Sequence, residues 1–185
     1  MKIYQQLREF KPINDQEKQD QTQILNVLNL PDVFTRKNTL GHFCASGWIL
    51  NETHDAVLMC YHRIYQSFSW LGGHSDGNSN LLEVALKEVK EESGLQNIKV
   101  LDEHIFSLEI LPVFGHIKHG QYVSSHLHYN VTYLFEASSK EQLIVKEDEN
   151  SELKWIKIEE LEKYVEEKWM YENVYCKLVK KALRY

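Results

Sequence analysis

The most constraining feature of the sequence is a predicted helix that carries three carboxylates on one side and follows a glycine-rich loop. The loop covers residues 71–77 and the helix residues 81–93. At 100° per residue, Glu88, Glu91 and Glu92 fall within a sector of about 100° on the helical wheel. The neighbouring sector is apolar and contains Leu82, Ala85, Leu86 and Val89. We therefore expect one side of the helix to pack and the next side to be acidic.

Helix stability does not favour this acidic side. Carboxylates three and four residues apart repel each other, and the last turns of a helix carry a negative dipole. A hard divalent cation reverses the balance, because Mg²⁺ prefers oxygen ligands and typically joins a few carboxylates to substrate phosphates. Mn²⁺ can use the same ligands. The alternative is a solvated charged surface on which Lys87 and Lys90 offset the acids.

The whole segment resembles the signature of the Nudix hydrolases, Gly-x5-Glu-x7-Arg-Glu-apolar-x-Glu-Glu-x-Gly-apolar. The matching residues are Gly73, Glu88, Val89, Glu91, Glu92, Gly94 and Leu95. Two positions depart from the signature, since Ser79 stands in place of its first Glu and Lys87 in place of its Arg. We therefore expect a loop-to-helix ion pair of the family to be missing here.

The resemblance implies a metal-dependent hydrolase that cleaves a diphosphate linkage in a nucleoside diphosphate derivative. Glu88, Glu91 and Glu92 would hold Mg²⁺ or Mn²⁺ with help from a backbone carbonyl of the glycine loop, at Gly73 or its neighbour Gly72. Glu88 and Glu91 are the candidate catalytic residues. Bound metal would neutralise phosphate charge and lower the pKa of a coordinated water. The implied partner is a small-molecule diphosphate, whose identity the sequence leaves open.

The general base must lie within hydrogen-bond reach of the attacking water. The sequence leaves it open between Glu91 and two residues of the acidic stretch 147–152, namely Glu149 and Glu152. A solvated loop is the alternative for that stretch.

Histidines are the candidate substrate-binding residues, together with Glu149. His74 directly follows the glycines, and period-two alternation puts His126 and His128 on the same face of a predicted strand. That face could line a substrate cleft and contact phosphate or base. An exposed polar sheet face is the alternative.

Two other functions remain alternatives. Gly73-His74 resembles the Gly-His pair of the Nudix-fold isopentenyl diphosphate isomerases, which bind a metal through histidines in places similar to His42 and His74. The catalytic cysteine of those enzymes would fall at Leu71 or Gly72, so that resemblance breaks down. A non-catalytic ligand-binding module of the same fold is the second alternative, and the departures at Ser79 and Lys87 are its only support.

Composition excludes several classes of protein. The chain has 185 residues, with 27 acidic and 21 basic side chains and a net charge of −6. This balance argues against binding to a nucleic acid polymer or a membrane surface, since both are polyanions. The three cysteines form no C-x-x-C pair, which fits a reducing compartment. No signal segment or membrane span is evident, so we expect a cytoplasmic protein.

We divide the chain into an N-terminal helical extension at 1–36 and a Nudix hydrolase domain at 37–185. An Asn14–Glu17 capping box is expected to start the main helix of the extension, and the sequence does not decide whether the extension forms a homodimer or covers an edge of the domain. Strands are predicted at 43–50, 56–61, 99–110, 127–136 and 153–156. A capping box formed by Asn80 and Glu83 is expected at the start of the acidic helix, and residues 159–183 are expected to be helical. The expected fold is α/β (α+β), a Nudix-type α/β/α sandwich with a mixed sheet.

Overall fold

The structure, a computed structural model, describes residues 2–63, 66–118, 120–145 and 150–185. The strands are β1 (Gly41–Leu50), β2 (Ala56–His62), β3 (Ser67–Ser69), β4 (Leu71–His74), β5 (Ile98–Val113), β6 (His116–Lys118), β7 (Gln121–Val123), β8 (His126–Ala137) and β9 (Asn150–Lys157). The helices are α1 (Ile3–Glu9), α2 (Asp15–Val27), α3 (Leu81–Ser93), α4 (Leu161–Tyr164), α5 (Lys168–Met170) and α6 (Cys176–Ala182). The predicted strands and the acidic helix α3 are confirmed, several strands being longer than predicted.

Seven strands form one mixed sheet in the order β3-β2-β1-β8-β5, with β4 added to β1 and β9 added to β2. Strands β1 and β8 are parallel and stay in register from Gly41↔Leu127 to Leu50↔Glu136, whereas the other pairs are antiparallel. Strands β6 and β7 form a separate small hairpin. The predicted mixed sheet is therefore confirmed.

Alternation along β1 and β8 creates two hydrophobic cores, one on each face of the sheet. One core contains Phe43 of β1 and Val131 of β8, and helices α1, α2 and α3 pack against it. The other contains Trp48 of β1 and Leu134 of β8, and α4 and α6 cover it. Helices thus lie on both faces of the sheet, as the α/β/α sandwich predicts.

Helix α3 ends where the sequence predicts, at Gly94. This residue has φ = 75°, a left-handed conformation that glycine adopts without a Cβ clash, and its N–H donates to the carbonyl of Lys90 at 2.9 Å. The predicted capping box at the start of the helix is wrong. Asn80 makes no side-chain capping bond, and the Nδ2 of Asn78 donates to Glu83 Oε2 at 3.3 Å instead.

The N-terminal extension packs along the edge strand β5. Asn14 caps α2 by accepting the N–H of Glu17 at 2.9 Å, as predicted. The carboxylate of Asp20 accepts the N–H of Ile110 at 3.0 Å, and the amide of Gln16 donates to the carbonyl of Leu108 at 3.2 Å. Side chains of α2 therefore bind backbone groups of an edge strand that would otherwise be free to pair with another chain. The domain boundary at residue 36 stays a prediction.

The C-terminal helical sequence forms two helical stretches, at 158–164 and 168–182, rather than one continuous helix; a π-helical segment, Tyr171–Tyr175, joins α5 to α6. After α4 the chain extends at Val165, and the N–H groups of Glu166 and Glu167 donate to Ser67 Oγ at 3.0 and 3.4 Å. These groups cannot also form intrahelical bonds, so the helix stops there. Within the described parts of the chain, no helix is long and apolar enough to cross a membrane.

Candidate functional site

The glycine loop and the acidic side of α3 lie against each other. The N–H of Gly72 donates to Glu92 Oε2 at 2.9 Å, and Glu92 is only 9% exposed. A Cβ added to Gly73 would collide with the Glu88 carboxylate, reaching to 2.6 Å from its Cδ. Only glycine at this position lets the Glu88 carboxylate lie directly against the loop backbone. Two carboxylates of α3 therefore meet two consecutive residues of the loop.

Lys87 connects two of the three carboxylates of the helix, those of Glu88 and Glu91. Its Nζ donates to Glu88 Oε1 at 3.1 Å and to Glu91 Oε2 at 3.3 Å. The hydrogen bond to Glu88, above all, raises the pKa of Lys87, so the ammonium stays charged at neutral pH. Lys87 thus pairs within α3 and balances part of the acidic charge. The departure from the family signature at Ser79 lies on an exposed part of the loop.

The donor set around Gly73 is made of hard oxygen atoms. The side chains of Glu88 and Glu91 are 16% and 43% exposed, so Glu91 is the more open of the two to solvent. Carboxylates and backbone carbonyls are the ligands that Mg²⁺ and Mn²⁺ prefer. The cradle at Gly73, which a Cβ would fill, leaves room for such an arrangement. The residues present therefore fit the predicted cation.

A second cluster of ligand-type side chains lies on the other face of β4. One ligand atom each from His42, Cys44, His74 and His128 lies within 4.8 Å of the others. Strand pairing explains this convergence, because Cys44 of β1 is the partner of His74 in β4, and His42 of β1 is the partner of His128 in β8. We refer to these four residues as the His/Cys cluster.

Burial dominates the electrostatics of the His/Cys cluster. Desolvation lowers the pKa of His74 to about 4 and that of His128 to about 2, and it also lowers the pKa of His42. It raises the pKa of the Cys44 thiol. All four side chains are therefore neutral at pH 7.

The sequence pointed to three of the histidines now seen here but not to the whole cluster. His74, His126 and His128 were expected to bind substrate, and the structure brings them together with His42. His126 lies beside the cluster, with its Nε2 3.2 Å from the Nε2 of His128. His42 was noted with His74 only through the isomerase resemblance, and Cys44 was missed as a site residue; the available signal was the alternation in β1, which puts His42 and Cys44 on the same face.

The structure does not add either predicted residue of the acidic stretch 147–152 to the candidate site. Glu149 lies outside the described residues. Glu152 is exposed on β9, where it is the strand partner of Tyr61.

The fold and this loop-helix arrangement agree with a family assignment from the sequence. A model of the NUDIX domain matches residues 42–177 of the chain. The chain belongs to the Nudix family. It is a Nudix hydrolase, an enzyme class that acts on phosphorus-containing acid anhydrides.

Solved structures resemble this Nudix hydrolase in fold. A hydrolase of the NUDIX family from Clostridium perfringens is 23% identical, with a TM-score of 0.53 over 77% of this chain and 97% of that chain. A binary complex of the C. elegans Ap4A hydrolase is 16% identical, with a TM-score of 0.55 over 77% and 95% of the two chains. The E. coli dihydroneopterin triphosphate pyrophosphohydrolase is 14% identical, with a TM-score of 0.55 over 77% and 96%. No curated protein matches this chain by sequence.

Proposed function

We propose that this Nudix hydrolase cleaves a diphosphate linkage in a nucleoside diphosphate derivative, using Mg²⁺ or Mn²⁺. The proposed ligands are Glu88, Glu91, Glu92 and the backbone carbonyl of Gly73. The observation that carries the proposal is the contact of Glu88 and Glu92 with Gly73 and Gly72, which brings the carboxylates of α3 to the loop backbone. When bound, the cation supplies charge neutralisation for the phosphates and an acidified water.

We assign different roles to three side chains of α3. Glu92 is held by the N–H of Gly72 and cannot turn away from the loop without leaving that donor unpaired. Glu91 is the candidate general base, because its carboxylate is the more open one to solvent and can accept the proton of an attacking water. Lys87 holds Glu88 and Glu91 together through hydrogen bonds to both carboxylates.

The substrate stays open within this class. Two of the structural neighbours are an Ap4A hydrolase and a dihydroneopterin triphosphate pyrophosphohydrolase, so both compounds belong in a first substrate panel. Nucleoside triphosphates, dinucleotide cofactors, nucleotide sugars and non-nucleotide diphosphates complete it. Substrate-binding roles for His74, His126, His128 and Glu149 stay predictions.

The test is product analysis on this panel with Mg²⁺ or Mn²⁺. The wild type is compared with Glu91→Gln and Glu92→Gln, and with Glu83→Gln as a matched control. Glu83 is an exposed acid in the first turn of the same helix, and its hydrogen bond is to Asn78 rather than to Gly72 or Gly73. We expect metal-dependent turnover that the first two variants lose and the control keeps. Reaction in ¹⁸O-labelled water then identifies the phosphorus atom attacked.

Other outcomes lead to other functions. If the wild type hydrolyses nothing on the panel, or Glu91→Gln and Glu92→Gln match it, the proposal is wrong. Isopentenyl diphosphate is included without a hydrolysis readout, by following the position of its double bond with NMR. Isomerisation there, or tight binding of a panel compound without turnover, would support one of the two alternatives instead.

A further inference from the structure

The His/Cys cluster contains the side-chain types of a transition-metal site. Imidazole nitrogen and thiolate sulfur are the ligands that Zn²⁺ prefers, and structural zinc sites commonly have four such ligands in a tetrahedron. The metal–ligand distances of about 2.0–2.3 Å place the donor atoms of a tetrahedral site roughly 3.3–3.8 Å apart. The four donor atoms of the cluster lie within 4.8 Å of one another. Small side-chain movements therefore suffice to close them around one ion.

His42 supplies a buried nitrogen without a partner. The residue is 4% exposed, and its Nε2 has no hydrogen-bond partner among the described residues. Its Nδ1 lies 3.1 Å from the carbonyl of Asn38, which can only accept, so Nδ1 carries the proton of the neutral ring and Nε2 has the lone pair. A buried polar atom left without a partner is costly. A metal ion in the cluster would satisfy it.

The outer partners of the rings also fit a metal site. Histidines that bind a metal almost always donate their second ring nitrogen to a carbonyl or another acceptor, which fixes the tautomer and orientation. His42 does so through Asn38. The Nδ1 of His126 lies 2.8 Å from the carbonyl of Ser124, so its Nε2 is an acceptor and the Nε2–H of His128 donates to it. The lone pair of His128 is then on its other nitrogen.

The cluster is separate from the carboxylates of α3. Successive residues of a strand point to opposite faces, so Gly73 faces Glu88 while His74 faces the other side of β4. Hard oxygen ligands lie on one side and nitrogen and sulfur ligands on the other. Each set suits a different kind of cation.

We infer that His42, Cys44, His74 and His128 form a second, structural metal site that takes Zn²⁺ and fastens β4 and β8 to β1. All four positions of the tetrahedron come from the protein, so the site is closed to substrate. Binding replaces the thiol proton of Cys44 with the metal and releases that proton to solvent. Zinc coordination is the alternative to the substrate-binding role predicted for His74 and His128, and His126 would position His128 through the contact of their Nε2 atoms.

The direct test is metal binding to the purified, chelator-treated chain, with Co²⁺ as a spectroscopic substitute for Zn²⁺. We expect about one tightly bound equivalent, a ligand-field spectrum of tetrahedral Co²⁺ and a thiolate-to-cobalt charge-transfer band. Added Zn²⁺ should displace the Co²⁺ and remove both features. Cys44→Ser should lose the charge-transfer band, and His126→Ala should weaken binding by about 10–100-fold, as is usual for outer partners.

Matched variants separate this site from general effects. Cys60 is also buried, at 1% exposure, and lies outside the cluster, so Cys60→Ser should keep the band. The combined Glu88→Gln, Glu91→Gln and Glu92→Gln variant should keep the Co²⁺ spectrum while losing hydrolysis. That variant distinguishes failure of this inference from failure of the proposed function.

Several results would overturn the inference. They are the absence of tetrahedral Co²⁺ in the wild type, a charge-transfer band that survives Cys44→Ser, or loss of the spectrum in the combined glutamate variant. Because Cys44→Ser could unfold the chain, circular dichroism checks the folding of each variant. If Cys44→Ser does not fold, the Co²⁺ spectra of the wild type and of the combined glutamate variant still test the inference. A structural role further requires that chelation lowers the melting temperature of the wild type but not of His128→Asn.

Discussion

The carboxylate of Glu92 accepts the backbone N–H of Gly72 at 2.9 Å, across 20 positions of sequence. This bond joins the end of the acidic helix to the loop that precedes it. Glu92 is 9% exposed, so the bond lies in a place where water is largely excluded. The orientation of α3 and the position of a candidate metal ligand therefore both depend on the side chain of Glu92.

Substitution of Glu92 should separate these two roles. Glu92→Gln keeps an oxygen acceptor for Gly72 and should change the free energy of unfolding little, whereas Glu92→Ala leaves the N–H unpaired and should cost about 1–3 kcal/mol. Both variants remove the charge and should lower kcat/KM by about 100-fold or more, since a catalytic metal is worth several kcal/mol. Urea unfolding and steady-state kinetics measure the two effects. Equal stability of the two variants would contradict the structural role.

Gly73 should be sensitive to a single methyl group. In Gly73→Ala the new Cβ would displace the Glu88 carboxylate, and we expect activity to fall by about 100-fold, the cost of a displacement near 1 Å. The collision should also lower stability. The control is a double-mutant cycle with Glu88→Ala, measured by urea unfolding. If Gly73→Ala lowers the free energy of unfolding equally with and without the Glu88 side chain, the contact is not the cause.

A buried ion pair joins the N-terminal extension to the last helix. Lys181 Nζ donates to Glu17 Oε1 at 2.6 Å, with side chains 8% and 0% exposed. Lys181→Met leaves a buried carboxylate short of a partner and should destabilise the chain by about 3–5 kcal/mol. Adding Glu17→Gln should restore part of this loss in urea unfolding.

An exposed pair serves as control for that measurement. Lys163 is 71% exposed and pairs with Glu160 at 3.3 Å, so Lys163→Met should cost less than about 1 kcal/mol. Similar losses for Lys163→Met and Lys181→Met would show that burial of the ion pair has no special effect.

Lys87 should compete with a divalent cation for the carboxylates of α3. Its ammonium contacts both Glu88 and Glu91, and its side chain is 61% exposed. We expect Lys87→Met to lower the Kd for Mn²⁺ severalfold, because an exposed ion pair is worth about 1 kcal/mol or less. Titration calorimetry measures the Kd. Lys90 is an exposed lysine of the same helix, and Lys90→Met should leave the Kd for Mn²⁺ unchanged. A higher Kd in Lys87→Met would contradict the competition.

Local features of the fold were predictable because they depend on neighbouring residues. The 3.6-residue periodicity and Gly94 fixed the extent of α3, and alternation indicated the strands. The capping-box spacing of Asn80 and Glu83 misled, since Asn80 makes no side-chain capping bond and Glu83 instead accepts from Asn78, five residues before it. The broken C-terminal helix depended on Ser67, a residue distant in sequence that takes its backbone N–H groups.

The sequence by itself determined the family, the acidic helix and the candidate metal ligands Glu88, Glu91 and Glu92. Their spacing along one helix already places them together, whatever the rest of the chain does. Only the tertiary structure decided that β1 lies parallel to β8, which puts His42 opposite His128 and completes the His/Cys cluster. It also decided that Glu17 meets Lys181, 164 positions away. Such pairings depend on the packing of the whole sheet and its helices, and no local pattern encodes them.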